Sequence, residues 1–186
     1  MSIYSFVSLS LLWESENRSP RHEFGIKLLT VTYVYWRNTK PMPLAVGSEA
    51  PNFTVQDTKG NTVSLSSFAG KTVVLYFYPK DDTPGCTKQA CSFRDNIADY
   101  QGKDIVVLGV SADDQTSHQQ FTEKYNLNFP LLADTKQEMI KAYDVDGGGY
   151  AKRVTYVIDG NGKIIHVDSS VNTSTHASDV LKAIGL

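Results

Sequence analysis

Seven residues in a row, Thr72 to Tyr78 (TVVLYFY), carry no charge, and all but Leu75 are β-branched or aromatic. A strand that is apolar at every position has to be covered on both faces, so it belongs at the centre of a layered sheet. Asp104 to Ser111 (DIVVLGVS) repeats the pattern. Between the two, Pro84 to about Gln101 reads as a helix, with Ala90, Phe93, Ile97 and Tyr100 at 3.6-residue spacing. Gly102 suits the C′ position that would end it.

The rest of the chain fits around this unit. Asn52–Gln56 and Thr62–Leu65 form a hairpin over DTKGN, with Gly60-Asn61 supplying positive-φ turn residues. Asp114–Tyr125 is amphipathic, Pro130–Ala133 a short strand and Lys136–Tyr143 a short helix. Arg153–Ile158 and Lys163–Val167 pair over Asp159-Gly160-Asn161-Gly162, and Ala177–Ile184 closes as a helix. The expected fold is α/β: a mixed central sheet flanked by helices, with an N-terminal β-hairpin. That is the element order of a thioredoxin-like fold.

Residues 1–41 do not match the remainder of the chain. Phe6–Leu12 is apolar, but no basic residue precedes it and no small-residue cleavage site comes after it, so it makes a poor signal peptide. Phe24–Trp36 is too short to span a bilayer. Glu14, Glu16 and Glu23 argue against an acid-poor transit peptide. The expectation is a poorly ordered extension or a mis-called start, then one domain over 42–186. Five of the 18 basic and three of the 20 acidic residues fall in 1–41, which leaves that domain at net −4. Without a basic stripe, a nucleic-acid role has no electrostatic footprint. Two cysteines are too few for a secreted disulfide scaffold; a close pair in a reducing compartment is more often catalytic or redox-sensing.

Those cysteines are Cys86 and Cys91. Thr83 is placed to be an N-cap whose hydroxyl accepts from the first turn, Pro84 takes N1, and Gly85 allows close backbone approach. Cys86 then stands at N3, where orphan N–H groups and the helix dipole favour a thiolate. Five residues along an ideal helix put the Cα atoms of Cys86 and Cys91 about 8.7 Å apart. A disulfide needs them within about 7 Å. The two sulfurs can bond only if the helix opens.

Tyr78–Asp95 (YPKDDTPGCTKQACSFRD) resembles the active-site signature of the peroxiredoxin Q/bacterioferritin comigratory protein group, with Pro79, Thr83 and Cys86 on its P-x₃-T-x₂-C pattern. Val46–Thr54, Phe129–Asp134 and Arg153–Asp159 resemble earlier and later segments of the same family. The resemblance covers nearly all of 44–186 and none of 1–41. It implies that Cys86 is the peroxidatic cysteine, Thr83 hydrogen-bonds peroxide and thiolate, Pro79 shields the site, and Arg153 supplies a stabilising cation. It implies that Cys91 is the resolving cysteine, forming an intramolecular disulfide that thioredoxin or a related dithiol donor reduces. Hydrogen peroxide and alkyl hydroperoxides are the implied substrates, with no cofactor, metal, nucleic acid or membrane span. A monomer suffices, in the cytoplasm or alternatively a plastid stroma or thylakoid-associated.

The other signals are weak. Gly147-Gly148-Gly149 lacks a following GK[ST] and reads as a flexible loop leading to Arg153. Asp144-Val145-Asp146-Gly147 has Thr155, not Glu, at position twelve of a calcium loop. His22, His118, His166 and His176 read as surface or sheet-edge residues without metal spacing, and Arg94 as a helix-surface charge. Two rival functions share the cysteine pair: a redox-regulated holdase, and a disulfide reductase, which the missing C-x-x-C disfavours.

Overall fold

The computed structural model describes residues 42–186. The expectations for residues 1–41, His22 among them, lie outside the described residues. The elements are β1 (Thr54–Gln56), β2 (Thr62–Ser64), a 3-10 turn (Leu65–Phe68), β3 (Thr72–Phe77), α1 (Pro84–Gln101), β4 (Ile105–Ser111) and α2 (Gln115–Tyr125). They continue with β5 (Leu131–Ala133), α3 (Glu138–Ala142), β6 (Val154–Ile158), β7 (Ile164–Asp168) and α4 (His176–Ala183). Each expected element is present, and most ends fall within two residues of the sequence reading.

The five-stranded sheet runs β5-β4-β3-β6-β7, with β1 and β2 in a separate antiparallel pair. Strand β3 is central, parallel to β4 and antiparallel to β6. Its side chains alternate between two cores, as a pleated strand dictates. Val73, Leu75 and Phe77 pack with Met139 and Ile140 of α3 and with Tyr143 and Tyr156. Val74, Tyr76 and Tyr78 pack with Phe93 and Tyr100 of α1, Phe121 of α2 and Val180 of α4. At about 1.5–3 kcal/mol per large apolar side chain removed from water, this double burial is what makes TVVLYFY stable as a strand. The result is the thioredoxin-like mixed sheet between helices.

One glycine in β4 makes that packing possible. Gly109 is the register partner of Tyr76, and a Cβ added to it would stand 2.7 Å from both the Tyr76 ring and Leu131 Cδ2. The missing side chain is the space the tyrosine ring fills.

Three local expectations are corrected. Gly102 is not left-handed: it keeps helical geometry at φ −62, and the positive φ falls on Asp104 at +56 after one further turn. Lys103 N–H donates to Tyr100 O there, and Lys71 Nζ reaches Asp104 at 2.9 Å across the helix end. In the β1–β2 turn only Gly60 has positive φ; Asn61 N–H instead donates to the Asp57 carboxylate, which also accepts from Lys59 N–H. The Gly147–Gly149 loop is closed by a bridge between Asp146 and Ala151, with Gly147 N–H donating to Tyr150 O.

Gly109→Ala is expected to lower stability by about 1–3 kcal/mol through overpacking against Tyr76 and Leu131. Chemical denaturation checks it, and an unchanged midpoint would contradict the packing described.

Candidate active site

The site forms where β3 ends and α1 begins. The peptide between them is held down from two sides. Asp81, 6% exposed, accepts from Tyr78 Oη, Ser117 Oγ and His118 Nδ1, each at 2.7 Å, and its N–H donates to Asp113. Asp82 has φ +53 and accepts from Lys124 Nζ and Tyr125 Oη at 2.6 Å. Those two donors hold the Asp82 carboxyl below the usual range. His118 is wholly buried, with Nε2 3.1 Å from Leu132 O, so the surface role expected of it is wrong. Both its ring nitrogens face acceptors. The residue is a strut between the loop, α2 and β5.

Thr83 is the N-cap residue and Pro84 sits at N1, as the sequence indicates, but the Thr83 hydroxyl makes no capping bond. It donates backward to Lys80 O at 3.1 Å, while the Thr83 carbonyl accepts from Thr87 N–H. Cys86 comes next in the first turn, 1% exposed within the α1-side core. Arg153 Nη2 donates to Cys86 Sγ at 3.1 Å, joining residues 67 positions apart. Topology explains the meeting. Because β6 runs antiparallel to β3, its first residue, Val154, pairs with Phe77 at the last. Arg153 therefore arrives at the end of the sheet where α1 starts. Gly85 leaves room for it, since a Cβ there would stand 3.3 Å from Arg153 Nη2.

Cys91 lies on the same unbroken helix, partly exposed, and both thiols are free. Arg94 is more than a surface charge: Nη1 donates to Tyr125 O at 2.7 Å and ties α1 to the end of α2. The partly buried Pro79 precedes the loop. Cys86 and Arg153 thus meet, the Thr83 hydroxyl three residues earlier turns back to Lys80 O, and Cys91 stands five residues further along the helix. No group of three or more His, Cys, Asp or Glu side chains among the described residues is placed to hold a metal, and no helix among them is long and apolar enough to cross a membrane.

Sequence reasoning missed two members of this constellation. Gln89 is fully buried, and its Oε1 accepts from Arg153 Nη1 while Nε2 lies 3.0 Å from His176 Nδ1. Its place three residues after Cys86, on an otherwise apolar helix face, was the available signal. His176, expected at the surface, has no exposed area. Burial pushes its imidazole down from 6.5 to about 4, with Arg153 and His166 acting in the same direction and Asp168 and Asp179 opposing. Since the folded value is depressed, the unfolded chain takes up the proton first as pH falls. The stability contributed by neutral His176 is therefore full above about pH 6.5 and lost on descending towards pH 4, about 3 kcal/mol in all. Denaturation at pH 7 and 4.5 checks this: the wild type is expected to lose roughly 2 kcal/mol more than His176→Asn.

The family model for the AhpC/TSA family matches residues 46–167. Peroxiredoxin Q, chloroplastic, of Triticum aestivum is 46% identical over 142 residues, covering 74% of this chain. The chain spans only 65% of that wheat protein's length. Peroxiredoxin Bcp of Bacillus subtilis is 40% identical over 151 residues, 77% of this chain and 96% of the relative. Among solved structures, the bacterioferritin comigratory protein of Xanthomonas campestris, studied in trapped-intermediate and ligand complexes for its alkyl peroxide reduction activity, superposes with a TM-score of 0.67 at 30% identity, over 71% of this chain and 89% of the other. With a cysteine in the first turn of α1 and an arginine from the start of β6 on its sulfur, the chain belongs to the AhpC/TSA family and, within it, to the peroxiredoxin Q/Bcp group.

Proposed function

We propose that this chain is a thiol-dependent peroxidase acting on hydrogen peroxide and alkyl hydroperoxides. The observation that carries the reading is the partly buried Arg153 guanidinium donating at 3.1 Å to the buried Cys86 sulfur. A fixed cation there stabilises the thiolate before attack and the charge that develops on the peroxide oxygens during it. The Cys86 thiolate attacks the hydroxyl oxygen of ROOH; the O–O bond breaks, Cys86 becomes the sulfenic acid, and the departing RO⁻ takes up one proton, equal to the one the thiol gave up on ionising, to leave as ROH (water, for hydrogen peroxide). The Thr83 hydroxyl spends its proton on Lys80 O. Its lone pairs are then free to accept from the hydroperoxide O–H, which orients the terminal oxygen to the sulfur.

Cys91 is the proposed resolving thiol. It displaces water from the sulfenic acid to give a Cys86–Cys91 disulfide, and thioredoxin or a related dithiol donor returns both thiols by exchange. Both sulfurs lie on one helix, so one chain completes the cycle, and a monomer is the proposed working unit. The helix has to open between attack and resolution. The proposed setting is a reducing compartment, the cytoplasm or a plastid stroma as in the relatives named chloroplastic.

Peroxide-driven oxidation of thioredoxin by the full chain tests the reading. Cys86→Ser is expected to abolish turnover, and retained turnover there would remove the assignment. Cys91→Ser is expected to form sulfenate once and then stall; normal cycling in it would show that the intramolecular disulfide is not required. Arg153→Ala is expected to slow the peroxide step by about 10²–10³-fold, as removal of one preorganised donor does.

A further inference from the structure

The two ends of the Gln89 amide are chemically distinct, and its neighbours leave only one way to place them. Arg153 has donors and no acceptor, so the atom facing Nη1 has to be the carbonyl oxygen, Oε1. Nε2, a donor, then faces His176 Nδ1 at 3.0 Å, which requires Nδ1 to be the bare, accepting nitrogen. The ring proton sits on Nε2, where the nearest carboxylate oxygen, Asp168 Oδ2, is 3.6 Å away, beyond hydrogen-bond range.

The ring is held in place independently. Ala177 N–H donates to Ser92 Oγ at 3.1 Å, and Tyr100 Oη donates to Ala177 O at 2.6 Å. Both bonds fasten the start of α4 to α1. Phe93 meets the His176 ring edge-on, with centroids 5.1 Å apart. A proton on Nδ1 would set donor against donor. The amide would have to turn, and Arg153 would then face an NH₂ group.

We propose that His176 is a positioning residue for the peroxide reaction: its unprotonated Nδ1 fixes the Gln89 amide, and the amide holds Arg153 on the Cys86 sulfur. The inference rests on the peroxidase reading above. The titratable and charged groups that act on the ring are Asp168, 3.6 Å from Nε2, and His166 from β7, Asp179 from its own helix, and Arg153 ahead of β6.

His176→Phe keeps the ring shape and removes the acceptor, whereas His176→Asn keeps an acceptor in the place of Nδ1. The rate of the peroxide step is measured for each by competition for hydrogen peroxide. The Phe variant is expected to be slower by about tenfold, the size of one lost hydrogen bond to a charged group, and the Asn variant to stay within about threefold of wild type. A folded Phe variant at the wild-type rate overturns the inference while leaving the peroxidase reading intact. Nitrogen-15 NMR of the wild-type chain at neutral pH gives a second test that does not depend on any variant folding. His176 is expected with its proton on Nε2 alone; a proton on Nδ1 overturns the inference. A wild type that consumes no peroxide would instead overturn the parent reading, with the NMR result unaffected.

Discussion

A guanidinium stays charged wherever it is placed, so a protein that draws one even partly out of water has to give it matched acceptors. The rest of this site is built on that demand. Arg153 gives one nitrogen to Cys86 Sγ and another to Gln89 Oε1. Gln89 in turn needs an acceptor for its own NH₂ group, and His176 provides it from a helix that begins more than eighty residues later. The antiparallel placement of β6 beside β3 delivers the arginine, and the glycine before Cys86 leaves it space. Sheet topology and side-chain chemistry are therefore parts of one solution to keeping a cation next to sulfur.

The fold was legible because its strongest signals are local. TVVLYFY can only be a doubly covered strand, and the spacing of Ala90, Phe93 and Tyr100 can only bury one face of a helix. Cys86 was legible for the same reason, since Thr-Pro-Gly marks a helix start. Arg153 came from the family likeness; nothing local separates it from a surface arginine. Failures came where a partner distant in the chain decides the outcome. His118 and His176 look solvated in sequence and are fully buried, because Asp81, Leu132 and Gln89 supply what water would have supplied. Gly102 looked like the helix terminator, yet Asp104 takes the left-handed turn.

The helix that carries both sulfurs has conflicting duties in the proposed cycle. Folded, it seats Cys86 under Arg153. Opened, it frees Cys86 to reach Cys91. Gln89 lies between the two cysteines, so unwinding past it would release Arg153 and His176 together with the sulfur. Helix ends open at low free-energy cost, and here the first turn has no side-chain cap. The missing capping bond at Thr83 leaves that end easier to open.

The twin anchorage of Asp81 and Asp82 on α2 bears on where Cys86 can travel once freed. Only Thr83, Pro84 and Gly85 separate the fixed Asp82 from Cys86, and the four Cα-to-Cα steps make a leash of at most about 14 Å. A thiol on so short a tether samples a small volume. Its encounter with Cys91 is then governed by a high effective concentration instead of by long-range diffusion.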